Sequence, residues 1–433
     1  MTQNLPSGRV ETLTADQEKV FKEIWGYFLH FWGYSFDAPI SHVNRSGTTK
    51  STISVASKDS KDKKKKRGLV SRFSRGHKHT KSIENELEKT LSNRMSSDPN
   101  VTLRTNEHIH AAFTGLDAEK SKEFFWSFLR QDTPDNLLLR FVRARKWDTD
   151  KALEMIANTL SWRANESKVD KLLMDGELVP FQQKKEGLML QFELGKAIIR
   201  GYDKTGRPVV IVRPRFHHSS QQTQEEMEHF TLLVIEYARL FLNEPIDSCS
   251  ILFDLSGFSM SNMDYAPVKF MIQCFEAHYP ESLGVLFVHK APWIFSSIWN
   301  VIKAWLDPVV ASKIVFTKNT SDLEKVIDIK HIPKELGGDD DFEWKYLEPT
   351  PSLNGLQSSD NDALERITQE RKNLTKLFLD ATVEWVASPD KESSAKALKK
   401  KIELGKKISD NYRELDGHIR NRNIYDRIGT LKI

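Results

Sequence analysis

The chain has 433 residues, 39% of them hydrophobic and 29% charged, with a net charge of +4. That is enough to bury a proper core across two or three domains. The charge is uneven: Lys58 to Lys81 holds eleven Lys or Arg against Asp59 and Asp62, a local +9 that leaves about −5 for the rest. The basic signal is local and therefore does not argue that the folded domains bind nucleic acid. Cys249 and Cys274, the only cysteines, lie among apolar neighbours and read as reduced packing residues. There is no leader-like apolar run, no membrane-length apolar stretch, no Gly after Met1 for myristoylation and no prenylation Cys, so a soluble cytosolic chain is expected.

In chain order, Leu13 to Phe36 opens on Thr14 as an N-cap and repeats Val20, Phe21, Ile24, Phe28 and Phe31 at helical spacing, an amphipathic helix. Residues 41–105 turn to Ser, Thr, Lys and Arg with few large apolar side chains, and a disordered insertion is expected there. Within it Lys63, Lys64, Lys65, Lys66 and Arg67 stand near Leu69, Val70 and Phe73. That combination suits anionic lipid headgroups, and equally a solvated linker or a nuclear-import-like patch.

From Asp117 to Arg163 the spacing is helical again, with Thr133-Pro134 opening one helix. Beyond Gly187 short apolar runs alternate with helices. Ala197 to Gly201 and Pro208 to Arg213 flank the turn Asp203-Lys204-Thr205-Gly206, a hairpin. Helix Glu225 to Leu242, strand Ser250 to Leu255, helix Met263 to His278, strand Val285 to His289, an apolar helix and strand Ile314 to Thr317 follow. Repeated strand-helix-strand units predict an α/β fold with a mainly parallel sheet. The organisation expected is an N-terminal helix in 1–40, the insertion in 41–105, a helical lobe in 106–170, the α/β domain in 171–345, and a linker with two charged helices in 346–433.

The apolar helix is the richest feature. Phe295, Ile298, Trp299, Ile302, Trp305 and Leu306 recur at three and four, with Val301 and Ala304 widening the stripe into a nearly all-round apolar helix of about three turns. It is too short to cross a bilayer, which needs roughly 20 apolar residues. Either an ordinary core helix or one that covers an apolar cavity and touches membrane fits the pattern. Glu276, Glu281, Asp307 and Lys313 crowd around it, and such charges beside apolar segments need partners. Ion pairing would satisfy them, and so would a polyhydroxylated phosphate headgroup, with Lys on phosphate and carboxylates on hydroxyls.

Enzyme signatures are missing: no phosphate loop, no nucleophile elbow, no H-E-x-x-H and no paired C-x-x-C. His217-His218 lacks a third ligand, and Asp254 at a strand end has no glycine-rich phosphate turn beside it. No catalytic residue, metal or cofactor is expected.

LLLRFVRARKWDTDKA, DKTGRPVVIVRPR, FDLSGFSMSNM, HYPESLG, KAPWIFSSIWNVIKAWLDP, SKIVF and IPKELGG occur in one order between Leu137 and Gly338. That order resembles the CRAL-TRIO superfamily and looks like the fungal phosphatidylinositol transfer proteins of the secretory pathway; the N-terminal amphipathic helix, the basic insertion and the C-terminal helices resemble their CSR group. The resemblance implies an all-α N-terminal lobe on an α/β lobe whose sheet floors a lipid cavity closed by a mobile gate, with Phe295 to Leu306 at the gate position. It further implies one bound phosphatidylinositol, its headgroup held by residues at Arg145, Asp203, Pro208, Glu281, Asp307 and Lys313, with Val310 where the family has a phosphate-binding Thr. The second family ligand, phosphatidylcholine, is expected to bind weakly or not at all. Its hydroxyl and tyrosine positions are Cys249, Ile251, Ile199 and Val210 here, and Tyr237 alone survives.

The function expected is therefore phosphatidylinositol exchange between membranes, or its presentation to a phosphoinositide kinase, by a monomeric peripheral protein on endosome, Golgi or lipid-droplet membranes. The alternative is a membrane-recruited adaptor that holds a sterol, squalene or another neutral lipid without exchanging it.

Overall fold

The computed structural model describes residues 5–36, 109–350, 352 and 359–433. The basic run Lys63 to Arg67 lies outside them.

The first helix, α1 (Ala15–Phe31), starts where the sequence places it: Thr14 caps the Gln17 N–H and Gln17 answers in a capping box. Its apolar stripe is fully covered, with Phe21, Ile24 and Phe28 at 0% exposure. The cover is α2 (Ala118–Phe128), α3 (Pro134–Ala144) and α4 (Thr149–Ser161), followed by the short α5 (Val169–Asp175), α6 (Leu178–Gln182) and α7 (Glu186–Glu193). Pro134 opens α3, as its position after Thr133 predicts.

The sheet consists of β1 (Ala197–Tyr202), β2 (Pro208–Val212), β3 (Cys249–Asp254), β4 (Leu283–His289) and β5 (Ile314–Thr317), side by side in chain order. Only the β1–β2 hairpin is antiparallel. Its turn works because Asp203 accepts from the Thr205 N–H at 2.8 Å and the Arg207 N–H at 3.0 Å, while Gly206 takes φ +86°, a left-handed value that suits glycine. The crossovers are α8 (Gln224–Leu240), α9 (Tyr265–Gln273), and the pair α10 (Phe295–Lys303) and α11 (Pro308–Ser312).

Because strand side chains alternate, the sheet has two different faces. Ile198, Val209, Ile211, Leu252 and Phe287 face a dry core completed by Leu323, Ile327, Ile332 and Leu336, of which Leu323 lies in α12 (Thr320–Glu324). The opposite face presents one register row, Ile199, Val210, Ile251, Leu286 and Ile314, toward the crossover helices.

The chain ends in α13 (Asn361–Val386), α14 (Lys391–Ile419) and the turn-length α15 (Ile424–Arg427). The first two join α1 to α4 in a single core, through Phe378 and Trp385 at 0% exposure. A buried ion cluster ties this helical lobe to α8: Arg163 and Arg239 pair with Glu236 at 2.9 and 3.0 Å, and the Tyr279 hydroxyl donates to it at 2.8 Å. Burial alone would raise the Glu236 carboxyl, yet Arg239, Arg163 and Arg130 together hold it far below the usual range. No described helix is long and apolar enough to cross a membrane.

Candidate lipid cavity and its charged rim

Between the inward row of the sheet and helices α8, α9 and α10 lies an apolar cavity of about 240 Å³. Val210, Cys249, Ile251 and Leu286 form its floor, Phe230, Val234 and Ala238 one wall, and Met271 and Phe275 another. Both cysteines are free, and burial pushes each thiol up to about 12, so they are inert lining and packing residues.

Helix α10 closes the remaining side. Phe295, Trp299, Ile302 and Leu306 face the cavity, a spacing of four, three and four that selects one helical face. The expected three-turn helix is shorter: α10 ends at Lys303, and Trp305 and Leu306 follow in a tighter turn with N–H bonds to Ile302 and Lys303. Nor is it apolar all round. Ser296, Ser297, Asn300 and Lys303 face solvent, and Val301 is 41% exposed. Ile298 packs against Leu255 and Val288 instead of lining the cavity. Trp305 leaves the stripe and meets Tyr265 edge-on at 5.4 Å, with the Lys269 ammonium 4.6 Å from its ring centre. Trp299 rests edge-on against Phe316, which is 48% exposed. The helix is thus anchored through Phe295 and Ile298, buried with Leu255 and Val288, and by single ring contacts to α9 and to the edge strand β5.

A charged rim stands at the end of the cavity where β4 and β5 begin. Glu281 occupies a left-handed conformation, φ +57°, costing about 1 kcal/mol for a non-glycine residue. Its carboxylate is 2.5 Å from Arg143 Nε. Lys313 donates to the Leu283 carbonyl at 2.7 Å, and burial lowers its pKa against the opposing pull of Glu281. Arg207 reaches Ser248 at 3.1 Å with its guanidinium lying across Gly284, where a Cβ would sit 2.6 Å from Arg207 Nε. Asp247 and the N-terminal Arg9 complete the group.

The sequence-predicted headgroup residues divide over this geometry. Glu281 and Lys313 come together. Asp203 is joined to them through Arg207, which is 3.7 Å away, but its carboxylate serves the hairpin turn and the Ser250 hydroxyl at 2.7 Å. Burial would raise the Asp203 carboxyl, and the bonds from Thr205 and Ser250 outweigh that and hold it low. Pro208 begins β2. Asp307 caps α11 by accepting the Val309 N–H at 2.7 Å, and its own N–H donates to Glu276 at 2.8 Å. Val310 packs its side chain on the apolar core. Arg145 donates to the Ala144 carbonyl at 3.4 Å and makes no ion pair among the described residues, while Arg143 holds the place beside Glu281. Sequence reasoning missed Arg143 although it stands two residues earlier in the same quoted motif.

Of the five counter-ligand positions, Val210, Cys249 and Ile251 line the cavity, whereas Ile199 and Tyr237 do not. The C-terminal segment covers them: the Tyr425 hydroxyl accepts the Ile199 N–H at 2.8 Å, and its ring meets Tyr237 and Phe241 edge-on. Arg427 and Tyr346, both bonded to the fully buried Glu177, anchor that segment. His217 pairs with Asp264 at 3.3 Å and Asp254 with Arg215, so both have local ionic partners. No cluster of three metal-ligating residues occurs among the described residues.

An apolar cavity on a β-sheet, walled by helices and with a charged group next to one end, is the form of a lipid-binding protein. Residues 192–338 match the CRAL/TRIO domain, and 105–158 match the CRAL/TRIO N-terminal domain. The chain belongs to the CRAL-TRIO family. It is similar to "Phosphatidylinositol transfer protein CSR1" of Eremothecium gossypii, 46% identical over 100% of both chains. It is also similar to "CRAL-TRIO domain-containing protein C3H8.02" of Schizosaccharomyces pombe, 36% identical over 98% of this chain and 92% of that one. The crystal structure of Sfh5 aligns over 44% of this chain and 66% of that chain, at 16% identity and a TM-score of 0.36.

Proposed function

We propose that this chain is a non-enzymatic phosphatidylinositol transfer protein, working on cytosolic membrane faces such as endosome, Golgi or lipid droplet and presenting its lipid to a phosphoinositide kinase. The observation that carries the reading is that Glu281 and Lys313, whose charges act on one another, directly precede Ser282 and Ile314, two residues that line an almost wholly apolar cavity. The relative named as a phosphatidylinositol transfer protein supports it over the full length.

Lys313 takes the phosphate and Glu281 the inositol hydroxyls, while the acyl chains run along the sheet beneath α10. Burying those chains yields about 0.8 kcal/mol per CH2, much as the bilayer does, so exchange is nearly isoenergetic. Opening of α10 then sets the rate. Phosphatidylcholine is disfavoured because Val210, Cys249 and Ile251 offer its head neither hydroxyl nor aromatic ring.

The test is transfer of labelled phosphatidylinositol between liposomes. Lys313→Ala and Glu281→Lys should each lower transfer at least about tenfold, the worth of one charge-assisted bond. Transfer unchanged in both variants would overturn the headgroup assignment.

A further inference from the structure

The cavity has a second polar end that the rim does not explain. Lys196, just before β1, lines the cavity and is 4% exposed. Its ammonium donates to Gln222 Oε1 at 3.2 Å, and no carboxylate lies within ion-pair distance among the described residues. That acceptor is neutral and already shared, since Gln191 Nε2 donates to it at 3.1 Å. An ammonium has three donors, so one shared amide leaves it underprovided in a buried setting.

The neighbouring groups are committed elsewhere. His217 pairs with Asp264, and Arg213 with the Gly195 carbonyl at 2.8 Å and with Glu335 at 3.4 Å. Burial lowers the Lys196 pKa only to about 8, which keeps it charged at neutral pH.

The strand register places this cation opposite the headgroup rim. The Arg213 N–H donates to the Lys196 carbonyl at 2.8 Å, at the carboxyl end of β2, whereas Glu281 and Lys313 precede the amino ends of β4 and β5. Strand β3, six residues long, spans the distance between, about 20 Å at roughly 3.3 Å per residue. Phosphatidylinositol held at the rim would bring only acyl chain ends toward Lys196.

We propose that Lys196 anchors the carboxylate of a single-chain fatty acid, whose alkyl chain then occupies the cavity from the end opposite the rim. One cation matches one carboxylate. A phosphomonoester, with about −1.5 to −2 charge, would leave negative charge buried.

The test measures equilibrium binding of oleate, methyl oleate and lysophosphatidate to the full chain, read by tryptophan fluorescence from the cavity wall. Oleate should bind about tenfold more tightly than its uncharged methyl ester. Lys196→Met should erase that ratio without weakening methyl oleate, and Lys196→Arg should keep most of it. Equal affinity for acid and ester in the unmodified protein, or a ratio that survives Lys196→Met, overturns the proposal. Lysophosphatidate binding above oleate, lost in the same variant, overturns the carboxylate assignment. Lys313→Ala should keep the acid-to-ester ratio even where phosphatidylinositol transfer falls. A ratio lost there would place the carboxylate at the rim instead.

Discussion

Arg143 Nε lies 2.5 Å from Glu281 Oε2, joining the end of α3 in the helical lobe to the strained turn that begins β4. The same guanidinium donates to the Gly8 carbonyl at 2.9 Å and faces Asp247 at 3.4 Å. Arg143 therefore fixes the direction of the Glu281 carboxylate, which in turn acts on Lys313. We expect Arg143→Ala to lower phosphatidylinositol transfer between liposomes about tenfold and Arg145→Ala by less than about twofold, since one lost charge-assisted bond is worth about 1.5–3 kcal/mol. The reverse order of effects would assign the headgroup role to Arg145.

Lys401 of α14 is wholly buried, bonded to Asp135 at 2.5 Å, with Trp25 and Trp385 ring centres 4.4 and 4.5 Å from its ammonium. Trp25 Nε1 also donates to Asp135, at 2.8 Å. Lys401→Met keeps the packing but leaves a buried carboxylate without its cation, a loss of about 3–5 kcal/mol. The denaturant midpoint followed by tryptophan fluorescence should fall accordingly, and adding Asp135→Asn should recover part of it.

His278 stacks on Trp162 with ring centres 3.9 Å apart, and burial, helped by Arg163, lowers its pKa from 6.5 to about 4. The folded protein thus binds fewer protons than the unfolded chain between those values. The neutral ring contributes stability that is fully present above about pH 6.5 and lost as pH falls toward 4, up to about 3 kcal/mol at 1.36 per unit. Unfolding midpoints at several pH values in that window should flatten in His278→Phe. An unchanged slope would show that other groups carry the acid sensitivity.

Tyr425 closes the gap between the edge strand β1 and α8. Tyr425→Phe strands the Ile199 N–H, at a cost of about 1–3 kcal/mol. Tyr425→Ala also uncovers Ile199 and Tyr237 and so opens space next to the cavity floor, and we expect native mass spectrometry to find bulkier co-purifying lipids in that variant. The same lipid profile as the unmodified protein would mean that the segment does not bound the cavity.

Neutralising Lys63, Lys64, Lys65, Lys66 and Arg67 should weaken sedimentation with anionic liposomes, each basic residue contributing about 1 kcal/mol at the membrane surface. Raising salt should shrink the difference, because exposed charges are screened within a Debye length of about 10 Å at 0.1 M.

The amino-acid sequence by itself determined what short-range chemistry controls. The Asp203 turn with Gly206, the Thr14 and Thr133-Pro134 helix starts, the strand-helix order and the β5 limits at Ile314 and Thr317 all follow from dihedral preference, capping and periodicity. The inward row of the sheet was named only through the resemblance, at Ile199, Val210 and Ile251, because strands buried on both faces carry no alternation to read. The tertiary structure decided which groups from distant segments meet. Arg143 rather than Arg145 reaches Glu281 because the exit from α3 aims one of two similar side chains at a turn 138 residues later. Lys401 enters an aromatic box drawn from two other helices, Tyr425 covers Ile199 across 226 residues, and Lys196 lines the cavity while its neighbour His217 pairs with Asp264. No local pattern encodes such contacts. They depend on the mutual orientation of packed elements, which is set by the whole core at once.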